Sequence, residues 1–416
     1  MTYSPPPGPP PGFDTGVRYA PPPGPPPQKY SPPPGPPPIT APPQPPPCQN
    51  ATELSAYVRG NLVILANRGW LAVSLPPDLE SVYATLFAES SVFFELPPDA
   101  QAKRDFAAPT GKAASDEGFS DIPGEKQLIT LRSELKTPPQ LREAAKTAWN
   151  ETGKLFLETI HDIAESLDRP LDLFDGMSVE ATNFSEKDRA ASLLRLFRYN
   201  RPGFDENGGL GMKKVVAEGH KDLGLLTLVV GQSPGLDARD PATGQWVSVE
   251  DTPPWAPRLT ATLLAGQTLT YLTRGLYASG IHRVSVLPST SPADKYRFSL
   301  VFALRPAPKS TIDTTKFEGG LISKFPEERL SLDLNNFPNC SMYGQPAADL
   351  FKAIAKKHWN VNIAPEIREQ QKRNLLGGAV SARVDDGDRG AARVDGEEAA
   401  PFNEGQEEEP AAERLG

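Results

Sequence analysis

Apolar residues recur at helical spacing in two stretches of the first half of the chain. Over residues 77–89, Leu79, Val82, Tyr83, Leu86 and Phe87 fall on one face, and Pro77 with Asp78 suits a helix start. A longer pattern runs from Pro138 to about Asp168 through Leu141, Ala145, Ala148, Leu155, Phe156, Thr159, Ile163 and Leu167, and stops before Pro170. Beyond Arg195 the texture changes to short runs rich in β-branched and aromatic residues between Gly, Pro and Asp turns. Leu225–Val230, Leu259–Leu264, Thr268–Leu272 and Phe298–Leu304 read as strands. Helical spacing returns over Ala347–Trp359, with Leu350, Phe351 and Ile354 on one face, and again over Glu366–Arg373 after Pro365. Helices first and a string of short strands afterwards predict a mainly β fold with flanking α-helices, a sandwich or barrel.

The two ends share none of this patterning. Forty-eight of the 416 residues are proline, and they pile up before residue 48. Tyr3-Ser-Pro-Pro-Pro-Gly-Pro-Pro-Pro11 sets a repeat that Tyr19-Ala20 and Tyr30-Ser31 open again. Glycine does not stand at every third position, which excludes a collagen helix and leaves extended polyproline II. The arm reads either as a stiff solvated extension or as a ligand for SH3, WW or profilin-type grooves. At the other end, residues 381–416 hold eleven Asp/Glu against four Arg and repeat Ala-Arg-Val-Asp without apolar periodicity. This acidic tail is expected to be disordered.

Of the formal net charge of −9, the tail carries −7 and the first 48 residues +1, so the middle is nearly balanced. It has no basic stripe, and nucleic acid is not an expected partner. Two cysteines, Cys48 and Cys340, make no disulfide framework. No apolar run approaches membrane-spanning length, and the N-terminus lacks a basic-then-apolar signal. A soluble, cytoplasmic monomer without a membrane partner is expected. The division expected is an arm over 1–48, a helical and mixed region over 49–190, a β core over 191–310, a helical extension over 311–376 and a tail over 377–416.

The chemistry concentrates in a few residues of that β core. On a strand, residues i and i+2 share a face, so His220 and Asp222 can converge on one ion. His282, arriving from a distant strand, completes two imidazoles and one carboxylate, the facial triad of non-haem Fe(II) oxygenases. Arg297 and Ser299 repeat the i, i+2 spacing with a guanidinium fork and a hydroxyl suited to a carboxylate. Arg297 could instead be a strand arginine pairing with Asp294 or a loop acid, with Ser299 a filler.

With these motifs the chain resembles an isopenicillin N synthase-like member of the 2-oxoglutarate/Fe(II)-dependent dioxygenases. The resemblance runs through Gly69-Trp70, Phe93-Phe94-Glu-Leu-Pro97, Gly219-His-Lys-Asp-Leu-Gly-Leu-Leu-Thr-Leu-Val229, Gly235-Leu236 and Trp246-Val-Ser-Val249. It continues through Leu272-Thr-Arg-Gly-Leu-Tyr277, His282-Arg-Val284 and Arg297-Phe-Ser-Leu-Val-Phe-Ala303, covering roughly residues 50–310. It implies a double-stranded β-helix, a form of jelly roll, binding Fe(II) with 2-oxoglutarate and O2 as cosubstrates. His220, Asp222 and His282 would hold the metal, Arg297 and Ser299 the far carboxylate of 2-oxoglutarate. Tyr199 matches a tyrosine that helps place the cosubstrate, or is a core aromatic. The chain departs from the family at Phe197, where many members have Asn, at Gln267 in place of Asp, and at Arg274 in place of Asn.

The implied activity is hydroxylation, desaturation or ring closure of a small organic molecule, with 2-oxoglutarate decarboxylated to succinate. A same-fold Fe(II) oxidase without 2-oxoglutarate, or a non-catalytic protein working through its polyproline arm, are the alternatives. Lys126 and Arg132 stand where members shape the substrate pocket, and either hold an anionic substrate or are solvated. His161 and His358 lie in helical patterns and read as structural.

Overall fold

The computed structural model describes residues 45–109, 117–203, 211–250, 259–289, 294–317, 319–324, 344–355, 358 and 360–384. The proline-rich arm up to residue 44, Cys340 and the tail beyond 384 lie outside these.

Helices α1 (Ala51–Gly60) and α2 (Leu62–Arg68) lead into β1 (Trp70–Ser74), then α3 (Pro77–Glu95), α4 (Gln101–Asp105), β2 (Gly118–Ile122), β3 (Lys126–Leu131) and α5 (Pro139–Ser166). After the short α6 (Asp175–Ser178) come β4 (Leu193–Asn200), β5 (Lys214–His220), β6 (Leu226–Gly231), β7 (Leu236–Arg239), β8 (Trp246–Ser248) and β9 (Thr260–Ala265). The chain continues through α7 (Gln267–Leu272), β10 (His282–Val286), β11 (Tyr296–Leu304), α8 (Thr314–Phe317), α9 (Ala347–Ala355) and α10 (Pro365–Val384). No described helix is long and apolar enough to cross a membrane.

Seven strands form one sheet in the order β1-β9-β6-β11-β4-β3-β2, and four form a second in the order β5-β10-β7-β8. Neighbours pair antiparallel throughout. Side chains of the two inner faces meet in one cluster, in which Leu128, Phe197, Tyr199, Val229 and Leu264 face Val216, Leu236, Ala238, Val284 and Val286. The core is thus a double-stranded β-helix, the jelly roll expected from the sequence.

The large sheet is buried on both faces, which is why its strands read as nearly continuous apolar runs. Leu194, Leu196, Leu226, Leu228, Val230, Leu263, Leu300, Phe302 and Leu304 turn outward onto the helices. Trp149 and Phe156 of α5 pack on Phe302 at 4.7 and 5.4 Å between ring centroids. Alternate residues of the same strands, Arg195, Phe197, Tyr199, Arg297 and Ser299, therefore point into the barrel.

Several segments fold differently from their sequence pattern. Thr268–Leu272 alternates like a strand, yet it lies within α7. The reason is tertiary: carbonyls of Asp222, Leu223 and Gly224 accept the Gln267 and Thr268 amides, satisfying donors that a helix start leaves open. Glu366–Arg373 belongs to a longer helix, which begins at Pro365 and reaches Val384, past residue 377. Cys48 is not part of a solvated arm; it is buried in the helix-side core.

The C-terminal segment closes over one end of the barrel. Val361 and Ile363 join the inner cluster. Arg368 Nη2 donates to both Glu125 oxygens at 2.7 Å, and Lys372 reaches Glu218 at 2.6 Å. Lys126 neither grips an anion nor meets solvent: it is 0% exposed and donates to Val216 O at 2.9 Å and Val361 O at 3.0 Å. Burial, aided by Arg368, lowers its pKa to about 7. Between pH 7 and 10.5 the unfolded chain then binds a proton that the folded chain lacks, so stability rises with pH in that window. Lys126→Met should remove this slope of up to about 1.4 kcal/mol per pH unit. Urea unfolding at pH 7, 8 and 9 checks it; parallel pH dependence in both proteins would contradict it.

Candidate active site

Antiparallel register brings the two imidazoles together. His282 opens β10 directly opposite His220, the last residue of β5, and their rings lie 4.3 Å apart. Asp222 does not share the strand with His220 as the spacing implied; β5 ends at His220, and Asp222 stands in the turn toward β6. That turn still delivers the carboxylate. Asp222 Oδ1 lies 3.9 Å from Nε2 of each histidine, and one ligating atom from each residue falls within 4.8 Å of the others.

The donor set suits a divalent metal. His220 Nδ1 donates to Glu218 O at 2.7 Å and His282 Nδ1 to Gly280 O at 3.2 Å. Each ring hydrogen is thus spent on backbone, which fixes the tautomer and leaves the Nε2 lone pairs facing Asp222. Burial, then the neighbouring His282, holds the His220 pKa well below its ordinary value, so the imidazole is neutral. Burial works to raise Asp222, but His282 and His220 outweigh it and keep the carboxyl ionised.

Arg297, Ser299 and Tyr199 lie deeper in the barrel, on adjacent strands. Arg297 and Tyr199 are register partners on β11 and β4, and the guanidinium sits 5.5 Å from the tyrosine ring. Burial pushes the Tyr199 phenol up to about 12, so it is neutral. Gly235 makes the cradle: a Cβ there would stand 2.4 Å from Arg297 Nε. Arg297 does not pair with Asp294, which holds Arg201 at 3.2 Å. Its partners are Ser233 O at 3.1 Å, Pro234 O at 3.3 Å and the buried carboxylate of Glu250 at 3.0 Å. Nη1 is buried without a hydrogen-bond partner among the described residues, an unmet donor suited to a ligand carboxylate.

Glu250 gave no sequence signal, following Trp246-Val-Ser-Val249 without a motif of its own. His358 is not helical; its ring lies 6.4 Å from His220, with Nδ1 3.5 Å from Gln267 Nε2. Burial lowers its pKa to about 4. Arg195 is buried inside the barrel and donates to Thr130 Oγ1 at 2.9 Å. Arg132 serves structure, with Nε on Ala190 O at 2.6 Å. His161 lies at the surface against Asp175 at 3.0 Å, apart from the site as expected.

No family model and no curated protein matches the chain. Solved structures do. A full-length Neurospora crassa protein in complex with alpha-KG and 5-formyluracil is 19% identical with a TM-score of 0.53, over 73% of this chain and 91% of that one. The same protein with alpha-KG and thymine gives 18% and 0.52, over 74% and 93%. The dioxygenase for auxin oxidation in rice is 22% identical with a TM-score of 0.43, over 72% and 94%. At these identities the likeness to the Neurospora crassa protein is one of fold, and it agrees with the double-stranded β-helix.

The Asp222 turn depends on two glycines in close backbone contact, since a Cβ on Gly266 would stand 2.0 Å from Gly224 O. Gly266→Ala should therefore displace residues 222–224 and weaken divalent-metal binding at the site about tenfold or more with His220, Asp222 and His282 unchanged. Anaerobic iron titration measures it; wild-type affinity would show that the turn is not held by this contact.

Proposed function

We propose that this chain is an Fe(II)- and 2-oxoglutarate-dependent oxygenase acting on a small organic molecule. The carrying observation is the pairing of two orientationally fixed Nε2 atoms and a carboxylate with a buried arginine in the same barrel. His220, Asp222 and His282 would hold iron on one side and leave its remaining positions open. Bound iron supplies O2 activation coupled to decarboxylation of the oxoacid, with hydroxylation as the default outcome. Arg297 Nη1, Ser299 and Tyr199 would hold the distal carboxylate of 2-oxoglutarate. Closure by Val361 and Ile363, with His358 near the metal ligands, would keep bulk water from the reacting centre. The Neurospora crassa protein is crystallised with alpha-KG and a pyrimidine in a barrel of this fold, which supports a small-molecule substrate.

The Glu250 contact favours one second reading. If the oxoacid is excluded by that carboxylate, the chain is a same-fold Fe(II) oxidase drawing its electrons from the substrate. The proline-rich repeat would add a partner of the SH3, WW or profilin type.

Replacing His220, Asp222 or His282 with Ala should abolish stoichiometric Fe(II) binding while leaving the circular dichroism spectrum unchanged. Arg297→Leu should weaken 2-oxoglutarate about a hundredfold or more, judged by succinate formed at low oxoacid. Iron retained by all three alanine variants would remove the metal assignment. Unchanged succinate formation in Arg297→Leu would remove the cosubstrate role, and turnover without any oxoacid would establish the oxidase.

A further inference from the structure

Glu250 pairs with Arg297, the arginine read as the oxoacid anchor. Its Oε2 accepts Arg297 Nη2 at 3.0 Å and the Leu236 amide at 2.7 Å, and the two side chains are 1% and 0% exposed. Arg297 Nε is spent on the carbonyls of Ser233 and Pro234. Nη1 is buried and has no hydrogen-bond partner among the described residues. A buried guanidinium needs a counter-ion, and here the protein supplies one itself. An incoming dicarboxylate therefore meets a cation already neutralised, with a fixed anion on the adjacent nitrogen. A parallel two-bond grip through Nη1 and Nη2 would have to share Nη2 with Glu250.

We propose that Glu250 is a resident counter-ion that sets how strongly Arg297 takes the distal carboxylate of an oxoacid. The proposal rests on the reading of Arg297 as the oxoacid anchor. In the ligand-bound state two carboxylates share one guanidinium and repel each other across it. In the empty state Glu250 keeps the buried arginine satisfied and the barrel stable. Its role is to position and attenuate, and it lowers affinity for dicarboxylates in particular. An oxoacid without a distal carboxylate, such as pyruvate, does not reach Arg297 and is indifferent to Glu250.

Glu250→Gln keeps an acceptor for Leu236 and Arg297 and removes the charge. The full chain, loaded with Fe(II) under anaerobic conditions, is titrated with 2-oxoglutarate and with pyruvate by calorimetry, and its melting temperature is read with and without 2-oxoglutarate. Glu250→Gln should melt lower than wild type when empty, because Arg297 then lacks a counter-ion. It should bind 2-oxoglutarate about tenfold or more tightly than wild type, since the ligand now provides that counter-ion alone. Pyruvate affinity should not change, and 2-oxoglutarate should raise the melting temperature more in the variant. Equal or weaker 2-oxoglutarate binding in the variant, with wild type binding normally, overturns the proposal and leaves the oxygenase reading standing. So does an equal tightening for pyruvate. If neither protein binds 2-oxoglutarate, the Arg297 anchor fails and the proposal fails with it. Should Glu250→Gln not fold, Glu250→Asp draws the carboxylate back from Arg297 and should tighten 2-oxoglutarate in the same direction by less; no tightening overturns the proposal.

Discussion

The two-residue period of the strands is the constraint on which everything else in this barrel depends. Because β4, β6, β9 and β11 are covered on both faces, each must send alternate residues to two different environments. Leu300, Phe302 and Leu304 go to the helices, while Arg297 and Ser299 go to the interior. A one-residue slip of β11 would turn Arg297 onto the helix side, where Phe298 meets Phe94, and put Leu300 in the place of Ser299 inside the barrel. The apolar helix layer thus pins the register, and the register presents the polar residues. The same logic sets the small sheet, where the β5–β10 register places His220 against His282.

Polar groups inside a barrel must each be matched, and their partners divide the interior into two kinds of site. Lys126 and Arg195 are spent on the protein, on carbonyls and on a threonine hydroxyl. Arg297 is nearly spent, with one nitrogen left over. The triad is different: its Nδ1 hydrogens are satisfied by backbone while its Nε2 atoms and Asp222 face one another. Two imidazoles and a carboxylate held in that way set ligating atoms converging on a common point, a costly arrangement for a fold and an effective one for a divalent cation.

The motif spacing made the main chemical residues legible, and the apolar texture made the helices at 77–95 and 139–166 and the strands through Val230 and Leu304 legible as well. Residues whose role is set by distant neighbours were not. Thr268–Leu272 has strand-like alternation, but backbone carbonyls at 222–224 cap it into a helix, and local sequence cannot register a cap supplied by another loop. Lys126 has the composition of a surface charge; its burial is created by Val361, far along the chain. Glu250 carries no motif, and its importance comes from the β7–β8 hairpin folding it back onto Arg297. His358 is likewise brought beside His220 by a segment outside the β core.

Anaerobic titration of the full chain with Fe(II) and 2-oxoglutarate, followed in the visible spectrum, tests the central claim most directly. The account predicts a metal-to-ligand charge-transfer band that appears only when both are present and saturates at one equivalent of iron. Full iron binding without that band at saturating 2-oxoglutarate would contradict the claim that this barrel places an oxoacid on the metal.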